Sequence, residues 1–390
     1  MLSFLKPAQR FVKGAVAGLS TLALVSCVET TGSSGPKIDA SAPVPVALLV
    51  PKGSSTSGDA LLAQSLENAA KLAIADLGDV KIDLRVYATA GNPNTAQAAA
   101  VQAVDEGAKI ILGPVFGEAA NAAATAVAER NVNVLSFSNN TTIAGGNLFV
   151  LGPTFDNTAD RLVAFAQSQG KGNIMAVHAN NSAGLLGNTA IANAITRNGA
   201  GNAGAVGYEF SQEGVIAAVS QIKLNAEQNN AQTLFLTANT SGALPLLTQL
   251  LQEAGLSPAT THYMGLTRWD IPAQTLELPG VQGGWYAMPD PTLTNQFQTR
   301  YAQAYGGLPH SIGGLAYDGI AAIGALVKQG KADALTTGAL TQGAGFQGVN
   351  GIFRLRTDGT NERGLAVATI RDKKVVIIDP APTRFGGAGS

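Results

Sequence analysis

Residues 109–140 read KIILGPVFGEAANAAATAVAERNVNVLSFSNN, and this stretch narrows the possible folds more than any other part of the chain. Ile110, Ile111 and Leu112 form an unbroken apolar run, the pattern of a strand buried on both faces of a parallel sheet. Gly113 and Pro114 stop it. Ala119, Ala123, Ala126 and Val127 then recur at helical spacing. A second apolar run at 132–137 empties into Ser138, Asn139, Asn140, Thr141 and Thr142. Strand, turn, helix and strand in that order suit an open α/β sheet, where ligands lie in the crevice beyond the carboxyl ends of the strands.

The same alternation runs through most of the chain. Val44–Val50 reads as the first strand, closed by Pro51 and the polar turn 52–58. Leu62, Leu66, Ala69, Ala73 and Leu77 mark one face of the following helix. A strand is expected at 81–87, a helix capped by Asn94 at 94–106, and a short strand at 147–151. The pattern then restarts, with helices expected at 156–169, 185–198, 214–228 and 242–254. Strands interleave at 173–177, 205–210, 233–236 and 262–265. After these come a strand at 285–287 and helices at 294–305 and 314–328. From 351 to 378 the chain has strand–turn–strand character. This argues for an α/β fold of two doubly wound Rossmann-like lobes.

Polar residues collect at five expected strand ends: 114–118, 136–142, 178–182, 237–241 and 266–270. With the turn after the first strand, they supply the candidate ligand-binding residues Ser54, Phe116, Gly117, Glu118, Ser138, Asn139, Asn140 and Thr240. Some ends also open a helix, so free backbone N–H groups face the expected cleft, which suits a small polar or anionic ligand. Trp269 follows a strand end and either walls the cleft or packs inside. Trp285 is expected in the hinge or core, and Tyr317-Asp318 on a helix fronting the hinge.

Enzyme signals are poor. His178, His262 and His310 lie far apart, with no HExxH and no carboxylate at metal-ligand spacing. Ser136 and Ser138 are not in a GxSxG elbow. Residues 199–204 spell GxGxxG but follow a helix and precede a strand, the reverse of a dinucleotide fingerprint, and read as a turn. No catalytic residue, cofactor or metal is expected.

At 390 residues there is room for about two domains. Only 13% of residues are charged and the net charge is −1, which gives no field to attract nucleic acid. Lys6, Arg10 and Lys13 precede the apolar stretch 14–25, as in a signal peptide. Leu24-Val25-Ser26-Cys27 then resembles a bacterial lipobox, with Cys27 the single cysteine of the chain and the lipidated residue. The alternative is an ordinary secretory signal with an incidental cysteine. Acyl chains at about 0.8 kcal/mol per buried CH₂ would hold such a protein to a membrane. In lipoproteins of this kind a residue other than Asp after the cysteine, here Val28, implies a periplasmic protein anchored to the outer membrane. Residues 27–43 read as a flexible tether.

The segments ILGPVFGE (111–118), VLSFSNN (134–140), LAYDGIAAI (315–323) and FQGVNGIFRLRTDGTNERGLAV (346–367) together resemble the type I periplasmic binding proteins, the superfamily of the leucine/isoleucine/valine-binding protein. FSNN, Trp269-Asp270 and 362–365 look closest to its penicillin-binding-protein activator lipoproteins. The resemblance implies two lobes joined by a three-segment hinge, crossing near 153–154, 287–289 and 337–341. Lobe one would then hold 44–153 and 288–338, lobe two 154–287 and 339–380, with 381–390 a tail after them. It implies a non-enzymatic receptor that closes on an amino acid or small polar solute for an ABC permease. The alternative is an outer-membrane regulator that engages a peptidoglycan synthase. Amino-acid-binding relatives hold the ligand carboxylate with a hydroxyl where Glu118 stands here. Their backbone-and-hydroxyl contact falls on Ser138–Asn140, their aromatic near Ala183, and their ammonium-binding acid near Thr267. Loss of that acid, a bond of roughly 1.5–3 kcal/mol, counts against a free branched-chain amino acid.

Overall fold

The computed structural model describes residues 35–386. The leader, Cys27 and the start of the tether lie outside the described residues, as do residues 387–390. Among the described residues, no helix is long and apolar enough to cross a membrane.

In chain order the first lobe begins with β1 (Val44–Val50), α1 (Asp59–Asp76), β2 (Ile82–Ala88), α2 (Pro93–Asp105) and β3 (Ile110–Leu112). It continues with α3 (Gly117–Val127), β4 (Val134–Ser136) and β5 (Leu148–Val150). These strands form a parallel sheet in the order β2-β1-β3-β4-β5. Alternate residues of β1 serve two cores. Val46, Leu48 and Val50 pack toward α1, while Ala47 and Leu49 face the alanine surfaces of α2 and α3. Ala96, Ala100, Ala120 and Ala123 let those two helices approach the sheet closely. The cap of α2 is Asn92, not Asn94. Its side chain accepts from the N–H groups of Asn94 and Thr95, and Pro93 takes the first helical position, where a missing N–H costs nothing.

The chain then builds a second sheet. It runs through α4 (Phe155–Ser168), β6 (Asn173–Ala179), α5 (Ser182–Arg197), β7 (Gly201–Tyr208) and α6 (Gln212–Gln228). β8 (Thr233–Leu236), α7 (Leu244–Glu253), β9 (His262–Gly265) and β10 (Trp285–Met288) follow. The GxGxxG segment is only partly a turn, because β7 starts at Gly201 and pairs with β6. The helices α8 (Pro291–Tyr305), α9 (Gly314–Val327) and α10 (Thr337–Leu340) return to the first core. Last come β11 (Phe346–Gly348), β12 (Gly351–Leu355), β13 (Asn361–Arg363), β14 (Ala366–Arg371) and β15 (Lys374–Asp379). The second sheet has the order β15-β14-β10-β9-β8-β6-β7, parallel up to β10 and antiparallel beyond it.

β11, β12 and β13 form a separate antiparallel sheet. Residues 339–363 were expected with the second lobe. Phe346, Val349, Phe353 and Leu355 instead join the first lobe's core, because their apolar faces lie against α9. The chain rejoins the second sheet only at β14. Within the expected tail, Arg354 stacks over the Phe385 ring at 4.6 Å.

Candidate functional site

Both parallel sheets contain a point where the winding reverses. In the first it lies between β1 and β3, in the second between β6 and β8. At such points the loops at the carboxyl ends splay apart and leave a crevice. Ser54 follows β1 and Phe116–Glu118 follow β3, so they flank the first crevice. Ala183 follows β6 and Thr240 follows β8, so they flank the second.

In the first lobe, Gly117, Ser138 and Asn140 come together. A Cβ on Gly117 would lie 3.4 Å from Asn140 Nδ2 and 3.7 Å from Ser138 Oγ. Ser138 Oγ accepts from the Asn140 N–H at 3.1 Å. Asn140 Oδ1 accepts from Thr142 N and Oγ1 at 3.0 and 2.8 Å, which orients its amide hydrogens away from that turn. Phe116 precedes α3 without supplying a side-chain cap, so the first-turn N–H groups remain available at the positive end of the helix. Phe116 is half-exposed, its ring over Gly91. Glu118 and Asn139 are exposed. Ser54 Oγ accepts from Thr56 N at 3.1 Å.

In the second lobe, Ala183 is exposed on the first turn of α5, which Asn181 caps. Thr240 Oγ1 is bonded to Thr275 Oγ1 at 2.6 Å. Trp269 does not wall the cleft. It is 0% exposed, packed against Gly265 and Gly284, with Tyr286 at 6.4 Å between ring centroids. A large ring that makes core contacts on all sides is worth more buried than at a wet rim. Burial pushes the Tyr286 hydroxyl above its ordinary pKa, and the nearby Asp270 charge adds to this.

Of the candidate ligand-binding residues, Thr267 is the one that lines a cavity of about 270 Å³ at the hinge, together with residues of the expected crossings at 153–154 and 287–289. Both lobes contribute to its walls. Leu266 and Thr267 come from the second, Ser311, Ile312 and Leu315 from the first. Phe155 and Met288, where the chain passes between lobes, add to the apolar lining, as do Ile271 and Leu365. Thr267 Oγ1 is buried and has no hydrogen-bond partner. Such a hydroxyl costs free energy while it stays unpaired, and it is shut off from the cavity that other atoms of Thr267 line.

The hinge behind the cavity is held by polar groups: Asp318, expected on a helix fronting the hinge, and Arg363, Asn361 and Asn157, for which the sequence suggested no role. Asp318 Oδ1 accepts from Val349 N at 2.8 Å, and Oδ2 from Asn350 Nδ2 and Arg363 Nη1, both at 3.1 Å. Arg363 Nε and Nη2 both donate to Leu151 O. Asn361 Nδ2 donates to Val150 O and Gly152 O at 2.8 and 2.9 Å, while Asn157 Nδ2 donates to Asn361 O at 2.9 Å. Three chain passages are thereby fastened to one another. The available signal was a lone aspartate in the otherwise apolar helix LAYDGIAAI, with one arginine in the downstream NERG. Tyr317, by contrast, points outward and donates to Asp76 Oδ2 at 2.5 Å.

Among the described residues, no group of three or more His, Cys, Asp or Glu could hold a metal. The family model described as "Periplasmic binding protein" matches residues 43–374. No curated protein matches the chain. Among solved structures, a branched chain amino acid ABC transporter periplasmic ligand-binding protein from Burkholderia xenovorans aligns with a TM-score of 0.66 at 20% identity. The match covers 86% of this chain and 96% of that one. An ABC transporter substrate-binding protein from Desulfitobacterium hafniense in complex with Leu aligns at 0.63 and 16%, covering 86% and 100%. A solute binding protein of an ABC transporter from Rhodopseudomonas palustris, in complex with 3,4-dihydroxy benzoic acid, aligns at 0.59 and 17%, covering 88% and 97%. At such identities the likeness is one of fold.

Proposed function

The chain belongs to the periplasmic binding protein family, and on that premise we propose that it is a non-enzymatic receptor whose two lobes close on a small polar solute. In this reading it is the substrate-binding component of an ABC-type uptake system. The observation that carries the reading is the hinge cavity whose walls come from both lobes, in a fold whose two parallel sheets each reverse their winding once. A ligand there touches both lobes only when they are together, so its binding energy favours the closed state. The solved relatives crystallised with leucine and with a dihydroxybenzoic acid support a ligand of that size. Gly117, Ser138, Asn139 and Asn140 would hold its polar end from the first lobe. Ala183, Thr240 and Thr267 would meet it from the second.

The test is a thermal-shift screen of small acids, amino acids and sugars, repeated with small-angle scattering on any hit. A ligand at a hundred times its dissociation constant should add about 2.7 kcal/mol of stability and shrink the radius of gyration. A screen without a single shift overturns the receptor.

The Leu24–Cys27 motif followed by Val28 supports lipid anchoring to the outer membrane. Acyl groups found on Cys27 by mass spectrometry, and release from membranes on Cys27→Ala, are the expected results. The same motif and the FSNN segment favour a second reading, in which the anchored protein contacts a peptidoglycan synthase. Purified synthases that fail to bind in surface plasmon resonance overturn it.

A further inference from the structure

The chain passes between the lobes at 151–154, 289–290 and 364–365, and the segment after β15 makes a fourth link of a different kind. It leaves the second lobe at Asp379, whose Oδ2 accepts from Arg161 Nη2 of α4 at 2.6 Å. Ala381 is still buried in a core of that lobe. Pro382 then passes over the third crossing: a Cβ on Gly364 would stand 3.1 Å from both Pro382 Cγ and Pro382 O. Three residues on, the half-buried Phe385 ring rests on the first lobe. A Cβ on Gly345 would lie 2.9 Å from Phe385 Cε2, and Arg354 Cζ is 4.6 Å from the ring centroid. Arg354 is itself held, Nε donating to Glu362 Oε2 at 2.8 Å and Nη1 to Gly343 O at 3.2 Å.

Between its two attachments the segment borders open space. Pro382, Arg384 and Phe385 line a cavity of about 640 Å³, whose other walls include Arg197 of the second lobe and Thr141 and Arg356 of the first. The two ends also differ in strength. At the second lobe the segment continues a paired strand and a buried residue, whereas at the first it is one ring against one guanidinium. From Ala381 to Phe385 there are four residue steps, at most about 14 Å of extended chain. A lobe rotation that widens the gap beyond that reach pulls the ring from its seat.

Resting on the reading of the lobes as a closing receptor, we infer that residues 380–386 are a latch. Phe385 seated on Gly345 and Arg354 holds the lobes in the arrangement seen here, and its release frees the hinge to take another.

Spin labels placed by Gln97→Cys on α2 and Ser220→Cys on α6, both exposed, report the distance between the lobes. Cys27→Ala removes the single native cysteine first. Pulsed electron resonance on this chain without added solute should give one dominant distance. Phe385→Ala should raise the population of a second distance about two- to fivefold, the worth of an exposed cation–π contact. Arg354→Ala should act likewise, and Phe385→Ala should add little to it. Phe385→Tyr, which keeps a ring over the guanidinium, should restore the first distribution. Two distances whose populations do not change in Phe385→Ala overturn the latch and leave the moving lobes standing. A single unaltered distance in every variant overturns the latch as well. If that distance also persists with a solute that raises the melting temperature, the closing receptor falls too.

Discussion

Asp318 places a carboxylate where its side chain is 0% exposed, and Arg363, at 3% exposed, answers it across 3.1 Å. Neither ion would tolerate that burial alone, since removing one partner of a buried pair leaves an uncompensated charge. Asp318→Asn is expected to cost about 3–5 kcal/mol in urea unfolding. Combining Asp318→Leu with Arg363→Met should recover part of that loss, because two apolar groups leave no stranded charge. His262 poses the opposite problem. Burial, reinforced by the Lys171 charge, lowers its pKa to about 3, and its Nε2 has no partner while the ring lies 3.7 Å from that of Trp285. The folded state thus keeps the ring neutral, whereas the unfolded chain binds a proton below about 6.5. Stability from this residue is whole above pH 6.5 and falls as pH drops from there toward 3, by up to about 1.4 kcal/mol per unit. A melting-temperature series from pH 7 to 4 should decline less steeply in His262→Leu than in the parent. Equal slopes would remove His262 as a cause.

Gly152 shows how one element end positions another. A Cβ there would stand 2.7 Å from Ser138 O and 2.9 Å from both Asn139 N and Phe137 O, which are backbone atoms with little room to retreat. Gly152→Ala should destabilise by about 1–3 kcal/mol through overpacking and, by displacing the loop after β4, weaken any ligand held at Ser138–Asn140. Unfolding and binding measured on the same variant check both halves. Local signals of this kind were what the sequence could express. The strands Val44–Val50, Ile110–Leu112, Thr233–Leu236 and His262–Gly265 stand where apolar runs meet their flanking turns. The polar loops at strand ends followed from the alternation, whereas the strand order that makes some of them switch-point loops did not. What escaped was set by distant partners. Arg363 bonds Leu151 across 212 positions, and Asn361 bonds Val150 across 211, so neither left a periodic trace. Phe346 and Phe353 pack under α9, and that choice of lobe depends on a chain reversal rather than on propensity. Trp269 had no neighbours in sequence to announce its burial; glycines at 265 and 284 make the room for it.

At the scale of the whole molecule, two lobes with separate cores raise the question of whether they unfold as one. Multi-domain chains commonly depart from two-state behaviour, each core melting on its own terms. Here the β13 segment is bonded into both halves. Asn361 holds Val150 and Gly152 at the end of the first sheet, and its carbonyl is held by Asn157 at the start of α4. Val150 N also donates to Gly359 O at 2.9 Å. Breaking one core therefore exposes buried polar groups of the other, at roughly 1–3 kcal/mol for each orphaned group. The chain carries a convenient reporter, because both of its tryptophans, Trp269 and Trp285, lie in the cores of the second lobe. Their fluorescence follows that lobe alone, while far-UV circular dichroism follows both. In the parent protein the two denaturation curves should coincide. In Asn361→Ala, which deletes the bonds to Val150 and Gly152, the fluorescence midpoint should separate from that of the dichroism. Curves that already diverge in the parent would mean the hinge bonds orient the lobes without joining their stabilities. Closure would then be a motion between independent bodies, and a ligand in the cleft would raise both midpoints to a common value.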